Sequence, residues 1–523
     1  MRTARQTQPW IWSVAGVVAG IAGLATSYFV AAVLGVRSSP VVAVAELIIK
    51  LTPGAFAERA IQTLGHKDKP FLVSVVLLVL MVVFAVVGRL SRGSWSRALL
   101  VLAALAVVGG YAVSRQRNAG PSDYLPVLVG FITWVVCLSI LADNVRAAER
   151  REEAAEKVAG EAAREPAAAA SGRRGFVLGA GVMVVAAAGV GVVGRVVGAG
   201  RRQVEAARSL LRLPGVTAPV RPGGVTLDVK GLSSWETDAT SFYQVHTAIV
   251  PPAIEPDSWK LRIHGMVDQE VTLTYEQLMA RRLTEAWVTL NCVSNPVGGP
   301  LIGNAWWSGV RLADILAEAG VQDGADAVLQ TSDDGWTCGT PLAALTDGRD
   351  AMLVVAMNGE PLPIEHGFPV RTLVPGLYGY VSACKWVVDM EVTRFDKISA
   401  YWTQRGWAEL GPVKMSSRID VPRRDDEIDA GETRVGGMAW SQHTGISAVQ
   451  VSLDGGAWQD AELGNADTID SWAQWATTIT VEKGDHTLRV RATDDNGKVQ
   501  TGVVADVLPD GASGWHEVHF TAV

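Results

Sequence analysis

Long apolar runs are concentrated in about the first 200 residues of this 523-residue chain, and the remainder has the composition of a soluble protein. A helix needs roughly 20 apolar residues to cross the hydrocarbon core of a bilayer. Five stretches approach that requirement, at about 10–36, 71–89, 97–113, 124–142 and 176–198. We therefore predict an N-terminal helical membrane domain with about five spans, four of them within residues 1–145.

The predicted spans contain no histidine and no charged residue near their centres. A haem held by two histidines between these helices is therefore not expected, and a proton relay or transport path is disfavoured. Segment 41–65 is apolar in part but carries Glu46, Lys50, Glu58 and Arg59, which favours an interfacial or re-entrant piece. We expect the membrane domain to be an anchor, or a surface for a partner subunit.

Basic residues between the spans predict the side of the membrane that each loop faces. The short turn with Arg89, Arg92 and Arg97 and the Ala- and Glu-rich linker 146–172, which is also rich in arginine, lie on the same side of a five-span protein. The positive-inside rule makes that side cytoplasmic. We therefore predict a multi-pass protein of the cytoplasmic membrane whose residues after 200 lie outside the cytoplasm.

Charge and cysteine usage exclude several classes of function. The formal net charge is −7, which argues against a nucleic-acid partner because phosphate binding depends on lysine and arginine. The four cysteines are too few for a disulfide scaffold, and none stands in the C-x-x-C spacing of a zinc or redox site. Cys338 and Cys384 either pair with each other or remain buried thiols.

The chain after residue 225 divides into two patterns. Residues 225–411 mix short β-type segments (KLRIHG, VTLNCV, AMLVVAMNG) with helical ones (TYEQLMA, LADILAEAG), which predicts an α+β domain. Residues 412–523 alternate with a period of two and carry Asp-Gly and Asn-Gly turns. This second pattern predicts an immunoglobulin-like β-sandwich of seven strands.

Cys292 stands at the end of an apolar strand-like segment, in the sequence TLNCVSN at 289–295. A lone cysteine in such a place is usually a small core residue. The sequence that follows, from Gly298 to Leu312, is rich in glycine and polar residues, and we interpret it as a loop. Such a loop allows a bulky ligand to approach the backbone and leaves the thiol facing a cleft.

Several spaced motifs resemble the molybdopterin-binding domain of the sulfite oxidase family. The first are the Cys-x-x-Asn step at 292–295 and the run IGNAWWSGVRL at 302–312. The others follow in the family's order: MNGEPLP at 357–363, HGFPVR at 366–371, VPG at 374–376 and KW at 385–386. The resemblance continues into the all-β region, which looks like the family's dimerisation module and implies a homodimer.

The resemblance implies a molybdenum–molybdopterin cofactor and a set of residues that hold it. Cys292 is then both the metal ligand and the catalytic residue, because a soft thiolate matches a metal held by a dithiolene. Arg371 and Lys385 would bind the pterin phosphate, and Ser382 would give a hydroxyl or backbone donor. The remaining residues implied as cofactor contacts are Tyr243, Gln244, Asn295 and His366. No cytochrome b5-type haem motif is visible, so we predict no haem and a separate electron-carrier protein.

Departures from the family's pattern concern the substrate more than the fold. Val355 stands where sulfite oxidases place a tyrosine near the metal, and Gln244 and His246 stand where those enzymes carry a basic residue. The implied reaction is two-electron oxygen-atom transfer on a small oxo-anion or sulfoxide, as sulfite oxidation or sulfoxide-type reduction. The alternative is a cofactor-free, membrane-tethered binding or assembly module on the same fold.

Arg173 and Arg174 precede a mild, Gly- and Ala-rich apolar run. The sequence SGRRGFVL at 171–178 resembles a twin-arginine export signal, here placed inside the chain. We therefore assign 173–200 to a signal-like segment and the fifth span, although two ordinary cytoplasmic arginines beside a helix are the alternative. Twin-arginine export carries folded proteins, which suits a domain that receives a buried cofactor in the cytoplasm.

Overall fold

The structure is a computed structural model that describes residues 9–64, 67–117, 119–159, 181, 183–189 and 200–523. The chain separates into two compact units. The first contains Met1–Gln203 with Thr247–Val250, and the second contains Val204–His246 with Pro251–Val523. The predicted twin-arginine segment, about half of the linker (from residue 160) and most of the fifth span lie outside the described residues.

Four helices of the first unit are long and apolar enough to cross a membrane. They cover Trp10–Val33, Asp68–Gly93, Trp95–Ser114 and Pro121–Arg150, which match the first four predicted spans. The helices of this unit are α1 (Pro9–Val33), α2 (Pro40–Leu51), α3 (Gly54–Leu64), α4 (Asp68–Gly93), α5 (Trp95–Ser114) and α6 (Leu125–Ala159). Helices α2 and α3 are too short to span, as expected for segment 41–65.

Helices α1 and α4 pack backbone against backbone. A Cβ atom on Gly16 would collide with the Phe84 carbonyl oxygen, and one on Gly88 would collide with that of Trp12. Small residues at a helix interface allow two helix backbones to approach each other this closely. The indole of Trp134 on α6 donates to the Gly20 carbonyl at 3.1 Å and links a third helix to this pair.

One mixed and one antiparallel sheet form the oxidoreductase-like part of the second unit. One has the order β2-β1-β10-β5-β6, and the other has β3-β4-β7-β8 with β9 also paired to β7. The strands are β1 (Lys260–Gly265), β2 (Val271–Thr274), β3 (Thr284–Asn291), β4 (Ile302–Arg311), β5 (Ala327–Ser332), β6 (Thr337–Pro341), β7 (Met352–Met357), β8 (Glu360–Pro361), β9 (Arg371–Leu373) and β10 (Val387–Thr393). The helices are α7 (Gly200–Leu210), which belongs to this unit from Val204 onward, α8 (Tyr275–Met279), α9 (Leu312–Ala319), α10 (Leu342–Thr346) and α11 (Gly379–Ser382). This is the predicted α+β pattern.

The interpretation of the whole stretch from Gly298 to Leu312 as a loop was wrong. From Ile302 to Arg311 the chain forms β4, a buried strand between β3 and β7. Because both faces of this strand are covered, small, polar and aromatic residues are buried in succession and no apolar–polar alternation marks it. The loop itself is confined to the residues between Asn291 and Ile302.

The C-terminal region forms two sheets, with orders β11-β13-β17-β16 and β12-β19-β18-β14-β15. The strands are β11 (Ser416–Val421), β12 (Glu427–Ile428), β13 (Gly431–Trp440), β14 (Ile446–Leu453), β15 (Gln459–Asp460), β16 (Glu462–Leu463), β17 (Ala473–Val481), β18 (Gly484–Asp494) and β19 (His516–Ala522). The region has nine strands where seven were predicted, and three of them (β12, β15 and β16) are two-residue pairings that leave no periodic pattern in the sequence. Trp235 and Trp472 exchange indole-to-carbonyl hydrogen bonds, so this region shares a core with the preceding one.

Candidate functional site

Cys292 lies at the first position after β3, in a short turn that leaves its side chain partly exposed. The Cys292 N–H donates to the Leu301 carbonyl at 3.0 Å, and the Asn295 N–H donates to the Cys292 carbonyl at 3.1 Å. Asn295 Oδ1 in turn accepts the Leu301 N–H at 2.9 Å. Asn295 therefore fixes the turn that presents the thiol.

Side chains of the C-terminal sandwich donate hydrogen bonds to backbone carbonyls on either side of this turn. Gln442 Nε2 donates to the carbonyl of Thr289 in β3, and Arg418 Nη1 donates to the Gly299 carbonyl at 3.1 Å. The Arg418 guanidinium is held by Asp420, with Nε and Oδ1 2.6 Å apart. The position of Cys292 consequently depends on residues more than a hundred positions away in sequence.

Tyr243 lies between the Cys292 turn and a buried arginine. A Cβ atom on Gly379 would lie 3.8 Å from Tyr243 Oη and 3.8 Å from the Asn291 carbonyl oxygen, so the hydroxyl is close to the end of β3. Burial raises the pKa of Tyr243 well above its ordinary value, the nearby Cys292 raises it further, and Arg371 opposes both. Tyr243 is therefore a neutral hydrogen-bonding group in this site.

Arg371 is a buried cation, with 2% of its surface exposed. Its Nη1 donates to the His366 carbonyl at 3.1 Å, and its guanidinium lies 5.3 Å from the Trp307 ring centroid. Burial lowers the pKa of Arg371 to about 10. Within the described part of the chain, no carboxylate lies at ion-pair distance from this guanidinium. A buried guanidinium compensated by carbonyl groups alone suits an anionic ligand.

His366 and Lys385 flank Arg371. Gly367 has a φ of 110°, and a Cβ there would lie 3.0 Å from Arg371 Cβ and 3.2 Å from Lys385 Cα. The loop thus needs glycine to approach both cations closely. Burial, with the charges of Lys385 and Arg371, lowers the pKa of His366 to about 3, so the ring is neutral.

One nitrogen of the neutral His366 ring is already engaged in a hydrogen bond. Nε2 lies 2.9 Å from the Ala239 carbonyl and must carry the hydrogen, which leaves a lone pair on Nδ1. Nδ1 is buried and has no hydrogen-bond partner among the described residues. Lys385 Nζ donates to the Glu365 carbonyl at 2.8 Å. The cluster therefore offers an acceptor nitrogen beside two cations.

Ser382 and Gln244 are two further residues that the resemblance implies as cofactor contacts. The Ser382 hydroxyl is fully buried and has the carbonyl oxygens of Leu377 and Tyr378 as acceptors at 3.1 and 3.0 Å, so its role as a hydroxyl donor to a cofactor stays a prediction. A backbone donor from Ser382 stays a prediction. Gln244 follows Tyr243 and is partly buried.

Three other residues named from the sequence lie in the protein interior. Val355 is completely buried in the core, and Cys338 and Cys384 are free, buried thiols rather than a disulfide.

These residues fit a molybdopterin. The pterin phosphate requires cationic donors, which Arg371 and Lys385 supply, and the pterin ring requires partners for its N–H groups, which the unpartnered Nδ1 of His366 supplies. Cys292 lies beyond Tyr243 as a partly exposed thiol suited to a soft metal. Among the described residues no group of three histidine, cysteine or carboxylate side chains forms a separate metal site.

A sequence model of the family described as "Oxidoreductase molybdopterin binding domain" matches residues 246–402. Human sulfite oxidase is 30% identical over 322 residues, which cover 51% of this chain and 58% of that protein. The uncharacterized oxidoreductase YuiH of Bacillus subtilis is 35% identical over 180 residues, which cover 34% of this chain and 87% of that protein. The chain thus spans little more than half the length of the human relative.

Among solved structures, the chain is similar to the sulfane dehydrogenase SoxCD from Paracoccus pantotrophus. The TM-score is 0.47 at 25% identity, over 51% of this chain and 75% of that chain.

The fold and the matches define a molybdopterin-binding oxidoreductase domain. The chain belongs to the sulfite oxidase family of molybdopterin-dependent oxidoreductases. Most of the residues implied from the sequence fall inside the matched range, whereas Tyr243 and Gln244 lie immediately before it.

Sequence reasoning missed residues that the fold brings to the Cys292 turn from elsewhere. Tyr378, Lys414 and Trp440 line a cavity beside that turn together with Asn291 and Asn295. Lys414 and Trp440 come from the C-terminal region, and no motif links them to Cys292 in sequence. Only the tertiary structure identifies them, because it brings these distant segments of the chain together.

Proposed function

We propose that this chain is a membrane-anchored molybdenum-cofactor oxidoreductase that carries out two-electron oxygen-atom transfer on a small sulfur or related oxo compound. The reaction is sulfite oxidation or a sulfoxide-type reduction. The observation that carries the proposal is the buried Arg371, which has no carboxylate partner among the described residues and stands beside Tyr243 and the Cys292 turn. Membership of the family supports it.

Each residue of the cluster has a role in this proposal. Cys292 provides the thiolate ligand to molybdenum, and the bound cofactor supplies the two-electron redox chemistry. Arg371 and Lys385 bind the phosphate, while His366 Nδ1 accepts a hydrogen bond from the pterin. Tyr243 and Gln244 border the cofactor, and Asn295 fixes the turn of Cys292 through its bond to Leu301.

The location and partners are also part of the proposal. Four helices with the length and hydropathy of membrane spans support a multi-pass anchor in the cytoplasmic membrane. The positive-inside pattern and the twin-arginine-like segment favour an extracytoplasmic catalytic domain. We further propose a separate redox carrier protein, no haem, and a homodimer formed through the C-terminal sandwich.

A cofactor-free binding or assembly module is not favoured. Such a module would have no use for a buried guanidinium that has carbonyl acceptors but no carboxylate partner among the described residues. It would also have no use for a partly exposed thiol beside that cation.

Metal and pterin content tests the proposal. We would purify the full chain in detergent from a host that makes the cofactor, together with Cys292→Ala and the control Cys137→Ala on α6. We expect stoichiometric molybdenum, by inductively coupled plasma mass spectrometry, in the parent and in Cys137→Ala but not in Cys292→Ala. A folded parent without metal, or a Cys292→Ala variant with full metal, would contradict it.

A further inference from the structure

Two buried thiols have no part in the function proposed above. Cys338 lies on β6 and Cys384 lies two positions after α11, and the structure holds both in the reduced form. Both side chains are completely buried, and both belong to the same apolar core. The question is therefore whether the fold brings these two thiols together for a purpose.

Strand pairing and hydrogen bonds direct the two cysteines toward each other. Cys338 stands directly opposite Gln330 of β5, so their side chains share one face of the sheet. Gln330 Oε1 accepts a hydrogen bond from Thr372 Oγ1 at 2.7 Å, and Thr372 Oγ1 accepts one from the Cys384 N–H at 2.8 Å. The side chain of Cys338 therefore lies on the sheet face that meets the Cys384 turn.

The two thiols are also direct neighbours. Burial raises the pKa of Cys384 well above its ordinary value, and Cys338 raises it further, through a hydrogen bond between the thiols and through its charge. Arg371 opposes this shift, so the pair lies within electrostatic range of the buried guanidinium. Side chains that point toward each other are the first requirement for a disulfide.

The segment that a disulfide would close carries much of the proposed cofactor site. It runs from β6 through β7, β8 and β9, and it includes His366 and Arg371. Its far end adjoins Lys385, whose Nζ donates to the Glu365 carbonyl at 2.8 Å. A bond between the two cysteines would therefore restrict the opening of the segment that positions both cations.

We propose that Cys338 and Cys384 form a disulfide that secures the cofactor-binding segment. The two thiols lose their hydrogens as the new S–S bond forms, and the S–S bond of an external low-molecular-weight disulfide breaks. That oxidant takes up both electrons and both protons and leaves as two thiols. Because neither cysteine is exposed, the exchange takes place when the segment opens locally, and the disulfide is protected once the segment closes.

The proposed route of the protein supplies both redox states. Thiols stay reduced in the cytoplasm and meet oxidising conditions outside it. The segment is then free to open while the cofactor is inserted and is closed after export. This effect on cofactor retention rests on the function proposed above, whereas formation of the disulfide does not.

Peptide mass spectrometry tests the disulfide. We would purify the full chain in detergent from a host that makes the cofactor, and incubate it near its melting temperature with hydroxyethyl disulfide or with dithiothreitol. Cys338 and Cys384 fall in separate tryptic peptides, 312–349 and 372–385. We expect these peptides to be joined in the oxidised sample and separate in the reduced one. Absence of the joined peptides from the oxidised parent would overturn the inference.

Melting temperature and molybdenum retention test the consequence, as the difference between oxidised and reduced samples of each protein. Oxidation should raise the melting temperature by roughly 4–8 °C and slow the loss of molybdenum by about tenfold or more. We expect this in the parent and in the control Cys137→Ala, but not in Cys338→Ala or Cys384→Ala. All four proteins keep Cys292, so a mixed disulfide formed there affects them equally.

The outcomes separate this inference from the proposed function. Full molybdenum without the joined peptides would overturn the disulfide and leave the oxidoreductase function standing. Joined peptides without a change in melting temperature or molybdenum loss would overturn the securing role. A folded parent without molybdenum that still forms the joined peptides and melts higher when oxidised would refute the function and support the disulfide.

Discussion

Replacing Arg371 by methionine separates a ligand-binding role from a structural one. The methionine side chain occupies a similar length but removes the charge and all five N–H donors. Arg371 is 2% exposed, so its charge is desolvated in the folded protein, and burial lowers its pKa from the ordinary value for arginine to about 10. At about 1.4 kcal/mol for each tenfold change in acid dissociation, that drop corresponds to roughly 3 kcal/mol of unfavourable free energy for the charged form.

The interactions that Arg371→Met removes from the cofactor-free protein are of similar size. Two hydrogen bonds, to the carbonyls of His366 and Thr372, contribute about 1 kcal/mol each, and the contact with the Trp307 ring contributes about 1 kcal/mol. These contributions nearly cancel the desolvation penalty. We therefore expect the free energy of unfolding of the cofactor-free protein to change by less than about 1 kcal/mol.

The loaded protein should respond very differently. Two hydrogen bonds from the guanidinium to a phosphate stabilise the complex by about 1.5–3 kcal/mol each, so Arg371→Met should weaken cofactor binding by roughly 10²- to 10⁴-fold. Molybdenum per chain after gel filtration measures retention, and the melting temperature of cofactor-free protein measures stability. The matched control is Arg394→Met, which removes an exposed arginine paired with Asp396.

Either of two results would refute this reasoning. Retention of molybdenum by Arg371→Met at the level of Arg394→Met would show that Arg371 does not bind the cofactor. A large fall in the melting temperature of cofactor-free Arg371→Met would show that the guanidinium is a structural group whose contacts outweigh its desolvation.

Two further predictions concern the support that the sandwich gives to the Cys292 turn. Arg418→Met should lower the free energy of unfolding by about 3–5 kcal/mol, seen as a lower melting temperature, because it leaves the buried Asp420 carboxylate unpaired. His516 has a pKa lowered to about 4 by burial and by the charge of Arg418. Because the unfolded chain binds its proton more tightly, stability is complete above pH 6.5 and falls toward pH 4, by roughly 2 kcal/mol at pH 5, measured by denaturation against pH.

Each of these predictions has a matched control. Arg434→Met breaks an exposed pair with Glu462 and should cost less than about 1 kcal/mol, so an equal loss in both arginine variants would contradict the first. His516→Gln keeps an acceptor for the Ile419 N–H but cannot titrate, and it should flatten the stability profile between pH 7.5 and 5. An unchanged profile would assign the pH dependence to other groups.

The sequence predicted those elements that are determined by residues close to one another in the chain. Membrane-length apolar runs favour helices, so each of the first four predicted spans coincides with a helix long and apolar enough to cross a membrane. Segments such as KLRIHG and LADILAEAG carry their own periodicity and became β1 and α9. Cys292, Arg371 and Lys385 were identified because each stands in a motif of consecutive residues, and the family match includes all three.

Tertiary structure decided whatever depends on segments distant in sequence. Strand β4 is buried on both faces by its neighbours, so its own residues carry no alternation that would have predicted it. The Ser382 hydroxyl is directed to the carbonyls of its own helical turn, and Lys414 and Trp440 meet Asn291 only because the sandwich packs on the end of β3. Sequence thus predicted many of the elements and the family, and it named the residues proposed for the cofactor site. Packing determined the cavity, because its hydrogen-bonding groups converge from separate regions of the folded chain.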